Sequence, residues 1–279
     1  MADLTRAIDP VVTSVAGIAD ALARVRAGAP LVHNITNYVV MNNTANALLA
    51  IGASPAMVHA VEEVEEFTSI SRGLVINIGT LSPSWVDAMR LAALRAGQAG
   101  IPWVLDPVGA GATAYRTGIA ADLARMHPTV IRGNASEIMV LAGSVGVAGK
   151  GVDSAHSTDD ALAPARALAR DTGAIVAMTG VVDYVTDGTR VVAIRNGHAM
   201  MARVTGLGCT ATALVGAFVA ANDDHFVATV AALTVLGVAG ELAAAWSPGP
   251  GSLQLHLLDA LYTIDAASLE TRARVQRVG

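Results

Sequence analysis

Short apolar, β-branched runs alternate with Ala-rich stretches over the first two thirds of the chain. The runs Leu31–Ile35, Ala56–His59, Leu74–Ile78, Trp103–Leu105, Thr129–Ile131 and Ile175–Met178 predict strands. Helical spacing of apolar positions covers Met41–Ala50, Ser84–Gln98, Ser136–Leu141, Asp159–Arg170 and Thr210–Ala221. Ser82-Pro83 marks a helix entry, with Ser as cap and Pro at the first helical position. Strand-helix alternation of this kind predicts an α/β fold whose mostly parallel sheet is covered on both faces. The rhythm changes at Asp183–Arg195, which reads as an antiparallel hairpin turning at Asp187-Gly188. After Thr205 nearly everything is helical in pattern. Neither a long linker, nor a low-complexity segment, nor a solenoid-period repeat divides the chain, so residues 1–279 are expected to form one domain.

In open α/β sheets, ligands bind beyond the carboxyl ends of the strands. Unusual residues gather at those positions: His33-Asn34-Ile35-Thr36-Asn37, Asn77-Ile78-Gly79-Thr80, Asp106 to Gly111, Arg132-Gly133-Asn134 and Thr179-Gly180. A glycine loop, Val204 to Ala211, precedes a long apolar helix. Its glycines permit a sharp bend and close backbone approach, and the helix entry then faces an anion with free N–H groups and a positive dipole end. A tight loop that merely packs the helix would use the same glycines. Gly109 to Ala114 and Gly206 to Ala211 both match the dinucleotide pattern Gly-x-Gly-x-x-Gly/Ala. An NAD-dependent oxidoreductase is therefore a rival, but the pattern belongs in the first strand-turn-helix unit with an acidic strand end about 20 residues on. Here the first match is mid-chain, and Asp122 lies in a helical stretch. A Walker-type phosphate loop is excluded: Lys150 is the only lysine, position 144 is Ser, and no Ser/Thr follows the Lys. Asp106 at a strand end and Glu137 just inside a helix could hold Mg²⁺ through waters. Each also has a plainer role, Asp106 as a turn cap and Glu137 at a helix N-terminus.

Composition narrows the class. Hydrophobic residues make up 53% of the 279 residues and charged ones 15%, against a usual quarter. Either a membrane or extensive subunit contact would explain this excess. Val204–Ala221 and Phe226–Trp246 approach the length of a span. They are rich in Ala, Gly and Thr, the second contains Glu241, and no Lys/Arg cluster flanks them, so buried helices of an oligomer are expected instead of membrane insertion. The net charge of −5 disfavours a nucleic-acid partner. Met1–Val12 lacks an apolar signal core. Cys209 is the single cysteine, which fits a reducing cytoplasm. His33 and His59 sit on separate predicted strands without paired Cys/His spacing, so zinc is not expected.

The motifs taken in order resemble the hydroxyethylthiazole kinase family of the ribokinase-like superfamily. The resemblance is carried by His33 to Asn37, Thr44-Ala45-Asn46, Gly52 to Met57, Asn77 to Leu81, Asp106 to Thr113, Ile131 to Glu137 and Val204 to Cys209, and spans nearly the whole chain. It implies a ribokinase-like domain assembled as a homotrimer, with active sites between subunits. It further implies ATP- and Mg²⁺-dependent phosphorylation of a hydroxyethyl-methylthiazole in thiamine biosynthesis. By residue-level match, Met57, Gly206 and Asn37 would contact the thiazole, Arg132 and Thr179 the ATP phosphates, and Asp106 and Glu137 magnesium. Cys209, where related kinases carry Asp, would be a modest base that mostly shapes the anion hole of Gly206 and Gly208; as a plain alternative it is a small packed hydrophobe. Pyrimidine kinases and repair dehydratases of the same superfamily, and a non-catalytic ligand binder, are the other readings.

Overall fold

The computed structural model describes residues 14–145 and 161–278. Lys150, the first residues of the helix expected from Asp159, and the segment through Val12 lie outside them. Nine strands form one sheet in the order β2-β1-β3-β4-β5-β6-β7-β8-β9. The strands are β1 Leu31–Ile35, β2 Ser54–Ala56, β3 Gly73–Asn77, β4 Trp103–Asp106, β5 Val130–Asn134, β6 Ile175–Thr179, β7 Asp183–Thr186, β8 Val191–Ile194 and β9 Val275–Arg277. The first six pair in parallel, and β7 to β9 are antiparallel. Side chains on β1 alternate between two buried layers: Val32 faces one core and Ile35 the other. Burial on both faces is why these strands read as apolar runs.

One layer contains α1 Val15–Gly28, α2 Met41–Ile51, α8 Leu207–Ala221, α9 His225–Ala244, α10 Pro250–Thr263 and α11 Ala266–Arg272. The other contains α3 Val64–Ile70, α4 Pro83–Ala99, α5 Ala114–Ala124, α6 Ala135–Val145 and α7 Leu162–Thr172. Ser82 caps α4 through its side chain, as its sequence predicts. Among the described residues, α9 is the one helix long and apolar enough to cross a bilayer. It is apolar all round because α1, α8 and α10 pack on it while β7 and β8 lie against it.

Three features depart from the sequence pattern. The strand expected over Ala56–His59 instead covers Ser54–Ala56. The carbonyl of Val58 is taken by the His33 ring at 2.8 Å, which draws the chain away from the sheet edge. Strand β9 has no counterpart in that pattern, since Val-Gln-Arg is short and exposed and gains strand geometry only by pairing with β8. Helices α1 and α3 are likewise additions; Ser14 caps α1 by accepting from Gly17 N at 3.0 Å. The hairpin is present, and its turn is fixed by Asp187 Oδ1 accepting from Thr189 N and Arg190 N at 3.0 and 2.7 Å.

Candidate active site

The carboxyl ends of β1, β3, β4, β5 and β6 meet the N-terminus of α8. Gly206 precedes α8 with φ of 80°, and a Cβ there would fall 2.5 Å from Val40 Cγ1. Glycine is required on both counts. The first intrahelical bond runs from Thr210 N to Gly206 O at 2.9 Å. The N–H groups of Leu207, Gly208 and Cys209 therefore have no intrahelical acceptor. A Cβ at Gly208 would lie 2.8 Å from Arg132 Nη1, so the guanidinium rests directly on this helix entry. Gly206→Ala is expected to cost about 1–2 kcal/mol of stability from backbone conformation alone, whereas Gly208→Ala should act mainly on turnover, by pushing Arg132 off the helix entry. Thermal unfolding and kcat measured side by side check this.

Arg132 projects from β5 and donates to Thr179 Oγ1 on β6. Its Nη1 lies 4.0 Å from Asp106 Oδ2, and its Nε is buried with no partner among the described residues. Asp106, 1% exposed, accepts at Oδ2 from Asn77 Nδ2 at 2.8 Å and from Thr212 Oγ1 at 2.7 Å. Burial pushes its carboxyl up to about 6, with Glu137 adding to the rise, while Arg132 and the two hydrogen bonds oppose it. Glu137 Oε1 accepts from Gly109 N and Oε2 from Asn134 N, both at 2.8 Å. Asn134 Oδ1 in turn accepts from Glu137 N at 2.9 Å. The helix-end role of Glu137 is thus present as a reciprocal cap, and the same carboxylate fastens the loop after Asp106.

Asn37 donates from Nδ2 to Asn77 Oδ1 at 2.9 Å and to Cys209 Sγ at 3.5 Å. Burial, then the Asp106 charge, pushes the Cys209 thiol up; the Asn77 and Asn37 amides and Arg132 oppose the rise. Asn37, Asp106, Arg132, Glu137, Thr179, Gly206, Gly208 and Cys209 thus form one connected neighbourhood. Met57 lies further out, half-buried in the segment that leaves β2 at the sheet edge.

Three participants carry no sequence signal strong enough to single them out. Thr212 is a polar residue inside an apolar helix, one turn after Gly208, and only its burial against Asp106 reveals its use. Arg116 on α5 donates to the carbonyls of Ile78, Val108 and Gly79, tying two strand-end loops together. Asp183, at the start of the hairpin, is pushed up to about 6 by burial, with the Gly180 N–H and Arg132 opposing.

A cleft of about 610 Å³ opens from Arg132, Thr179 and Gly208, past Asp183 and Asn196, to an apolar wall at Leu233 and Leu236. A second cavity, of about 620 Å³ between α9, α10 and α11, contains none of the site residues.

Residues 22–267 match the Hydroxyethylthiazole kinase family. A hydroxyethylthiazole kinase of Granulibacter bethesdensis is 59% identical over 91% of this chain and 92% of its own. One from Syntrophus aciditrophicus is 54% identical over 91% and 95%. The structure of the hydroxyethylthiazole kinase protein of Pyrococcus horikoshii superposes with a TM-score of 0.88 at 45% identity, covering 95% of this chain and all of that one. A pyridoxal kinase from Staphylococcus aureus shares the fold at a TM-score of 0.64 and 16% identity.

Proposed function

The chain belongs to the hydroxyethylthiazole kinase family, and from that premise we propose how its residues divide the work of phosphoryl transfer. The enzyme is a kinase that phosphorylates the alcohol of hydroxyethylthiazole in thiamine biosynthesis. Its fold is ribokinase-like, and we read the described residues as a single domain of that type. ATP lies in the cleft behind Gly208, with its base against Leu233 and Leu236 and its phosphates toward Arg132 and Thr179. The substrate hydroxyl attacks the terminal phosphorus from the side of Cys209, Asn37, Gly206 and Met57. The new O–P bond forms as the bond to the ADP oxygen breaks, and the hydroxyl proton passes to Cys209 in the fraction of enzyme that carries the thiolate.

One observation carries this division: Arg132 rests on Gly208, at the helix entry where unpaired N–H groups converge. Arg132, the amides of Gly208 and Cys209 and the dipole of α8 would oppose the negative charge on the transferring group. Such preorganised donors are the main resource for a loose, metaphosphate-like transition state. The same transition state needs little from a base. A thiol pushed up by burial is mostly protonated at neutral pH, so Cys209 acts as a modest base and chiefly shapes the hole. Cys209→Ser is therefore expected to keep substantial turnover. A kcat loss beyond about a thousandfold would exceed the lower range of general-base contributions and overturn that assignment.

The carboxylates fit Mg²⁺. Among the described residues no cluster of three or more His, Cys, Asp or Glu is present. Two acidic residues suit a cation that keeps its waters and takes phosphates as further ligands. Asp106 Oδ2 is committed to Asn77 and Thr212, and neither donates to Oδ1. Asp106 and Glu137 would hold the ion, which when bound neutralises phosphate charge.

The active assembly is a homotrimer working in the cytoplasm. Tyr38 and Val39, 65% and 66% exposed, follow directly on Asn37 and offer an apolar rim beside the site. Covering that rim with a neighbouring subunit would use the excess of apolar residues and enclose the substrate near Met57. Light scattering should give a trimer; a fully active monomer contradicts the shared site. The test of function is ADP release from MgATP with and without hydroxyethylthiazole, with the phosphate ester identified by mass. Thiazole-dependent ADP matched by ester is expected. ADP release dependent on a pyrimidine alcohol instead would overturn the substrate.

A further inference from the structure

Two asparagine amides connect Asp106 to Cys209, and the partners of each amide decide which way it faces. Asn77 must donate toward Asp106, because the carboxylate Oδ2 at 2.8 Å accepts only. The opposite end of that amide, Oδ1, accepts from the backbone N–H of Gly79 at 2.9 Å. A flipped Asn77 would set oxygen against carboxylate and NH₂ against N–H. Asn37 is then fixed in the same way. Its Oδ1 accepts from Val39 N at 3.1 Å, and its Nδ2 donates to Asn77 Oδ1. The remaining hydrogen of that NH₂ points at Cys209 Sγ. Space for the arrangement is reserved: a Cβ on Gly79 would fall 2.5 Å from Asn37 Nδ2. Asn77 is fully buried, so it cannot exchange these partners for water.

We propose that Asn77 is a positioning residue that passes the orientation of the Asp106 carboxylate through Asn37 to the Cys209 sulfur. The sulfur is thereby held as a hydrogen-bond acceptor, which favours the thiolate, the form that takes a proton from the substrate hydroxyl. Asp106 thus serves two ends of the site, the phosphate end through its charge and the hydroxyl end through the amide relay. Thr212 supports the relay by sharing Oδ2 and limiting rotation of the carboxylate. The inference rests on the assignment of Cys209 to the substrate hydroxyl.

The single cysteine makes the relay measurable without turnover, because iodoacetamide alkylation of the native protein reports on the Cys209 thiol. Accessibility scales the whole alkylation profile, whereas the pH of half-maximal rate follows the stabilisation of the thiolate. The charged groups with an effect on Cys209 are Asp106 from β4 and Arg132 from β5, with Glu137 acting on Asp106. All three are retained in the variants. Asn37→Ala is expected to move the midpoint upward because its donor to the thiolate is lost, and Asn77→Ala because Asn37 loses the acceptor that aims its amide at the sulfur and the Asn77 amide's own effect on the thiol is lost. In the double variant, the shift should fall clearly short of the sum of the two single shifts, because without Asn77 the Asn37 amide is no longer aimed at the sulfur. Asn77→Ser, whose side chain is too short to span from Asp106 to Asn37 but keeps a polar group in the buried space, gives the same reading if Asn77→Ala does not fold. In turnover, the Asn77 variants should lose about tenfold in kcat, the scale of a hydrogen bond to a charged group. KM for ATP should stay within about twofold. Unmoved midpoints in the Asn77 variants, or additive shifts in the double variant, would overturn the relay. Shifted midpoints in an enzyme inactive on the thiazole would leave the relay standing and overturn the substrate instead.

Discussion

Arg132→Ala is expected to lower kcat by about a thousandfold, the low end of what a charge-stabilising arginine contributes to phosphoryl transfer. Little else in the site can replace it. Its guanidinium is steered by Thr179 on one side and Asp106 on the other, and lies against Gly208. Its buried Nε has no hydrogen-bond partner among the described residues. An anion in the cleft would satisfy it. Arg132→Lys separates charge from geometry, since lysine keeps the charge and loses the planar fork. Most of the loss should persist in that variant. Full turnover with lysine would show that Arg132 does not clamp the transferring group. Steady-state kinetics with saturating thiazole and ATP makes the measurement, with thermal unfolding as the control for folding.

Asp106→Asn should lower turnover by about a hundredfold to a thousandfold, the scale of losing one preorganised electrostatic partner. The same substitution should make the ligand-free protein more stable at neutral pH. Asp106 is pushed up to about 6 from an ordinary 3.8 because burial opposes its charge. A carboxyl raised on folding stabilises the folded state in its protonated form. That contribution is fully present below 3.8 and is lost as pH rises through about 6. A rise of this size corresponds to about 3 kcal/mol lost by pH 7. Asparagine is neutral throughout, and its amide oxygen can accept from both Asn77 and Thr212. Denaturant unfolding between pH 4 and 8 should therefore show wild-type stability falling across this window and a flatter line for the variant. Part of the slope remains, because Asp183 is also raised to about 6. A variant less stable than wild type at pH 7 would contradict the account of Asp106 as a carboxylate held for function against the preference of its surroundings.

The strand ends were legible because each apolar run stops abruptly at Asn, Asp, Arg or Thr. Asn77, Asp106 and Thr179 are the last residues of their strands, and Arg132 follows the apolar run of β5, whose strand continues through Gly133 to Asn134. The helix entry at Gly206 was legible for a similar reason, since two glycines before an apolar helix demand an explanation. The connections among these residues were not legible. Asn37 meets Asn77 because β1 neighbours β3, and Asp106 meets Thr212 because α8 crosses β3 and β4. Such partnerships depend on sheet order and helix placement, which no local pattern contains. Arg116 was hidden for the same reason; its guanidinium serves carbonyls on two other loops. Edge elements failed differently. Strands β2 and β9 have three residues each, too few to show a period, and their geometry comes from the neighbour they pair with.

The most direct test of the central claim is a crystal structure with ADP, magnesium, an aluminium fluoride mimic of the transferring phosphoryl group, and the thiazole alcohol. The mimic should sit on the amides of Gly208 and Cys209 beneath Arg132, with the alcohol oxygen facing Cys209 and the adenine near Leu236. A nucleotide bound elsewhere, such as in the cavity beside Trp246, or a mimic out of reach of Arg132, would contradict the account.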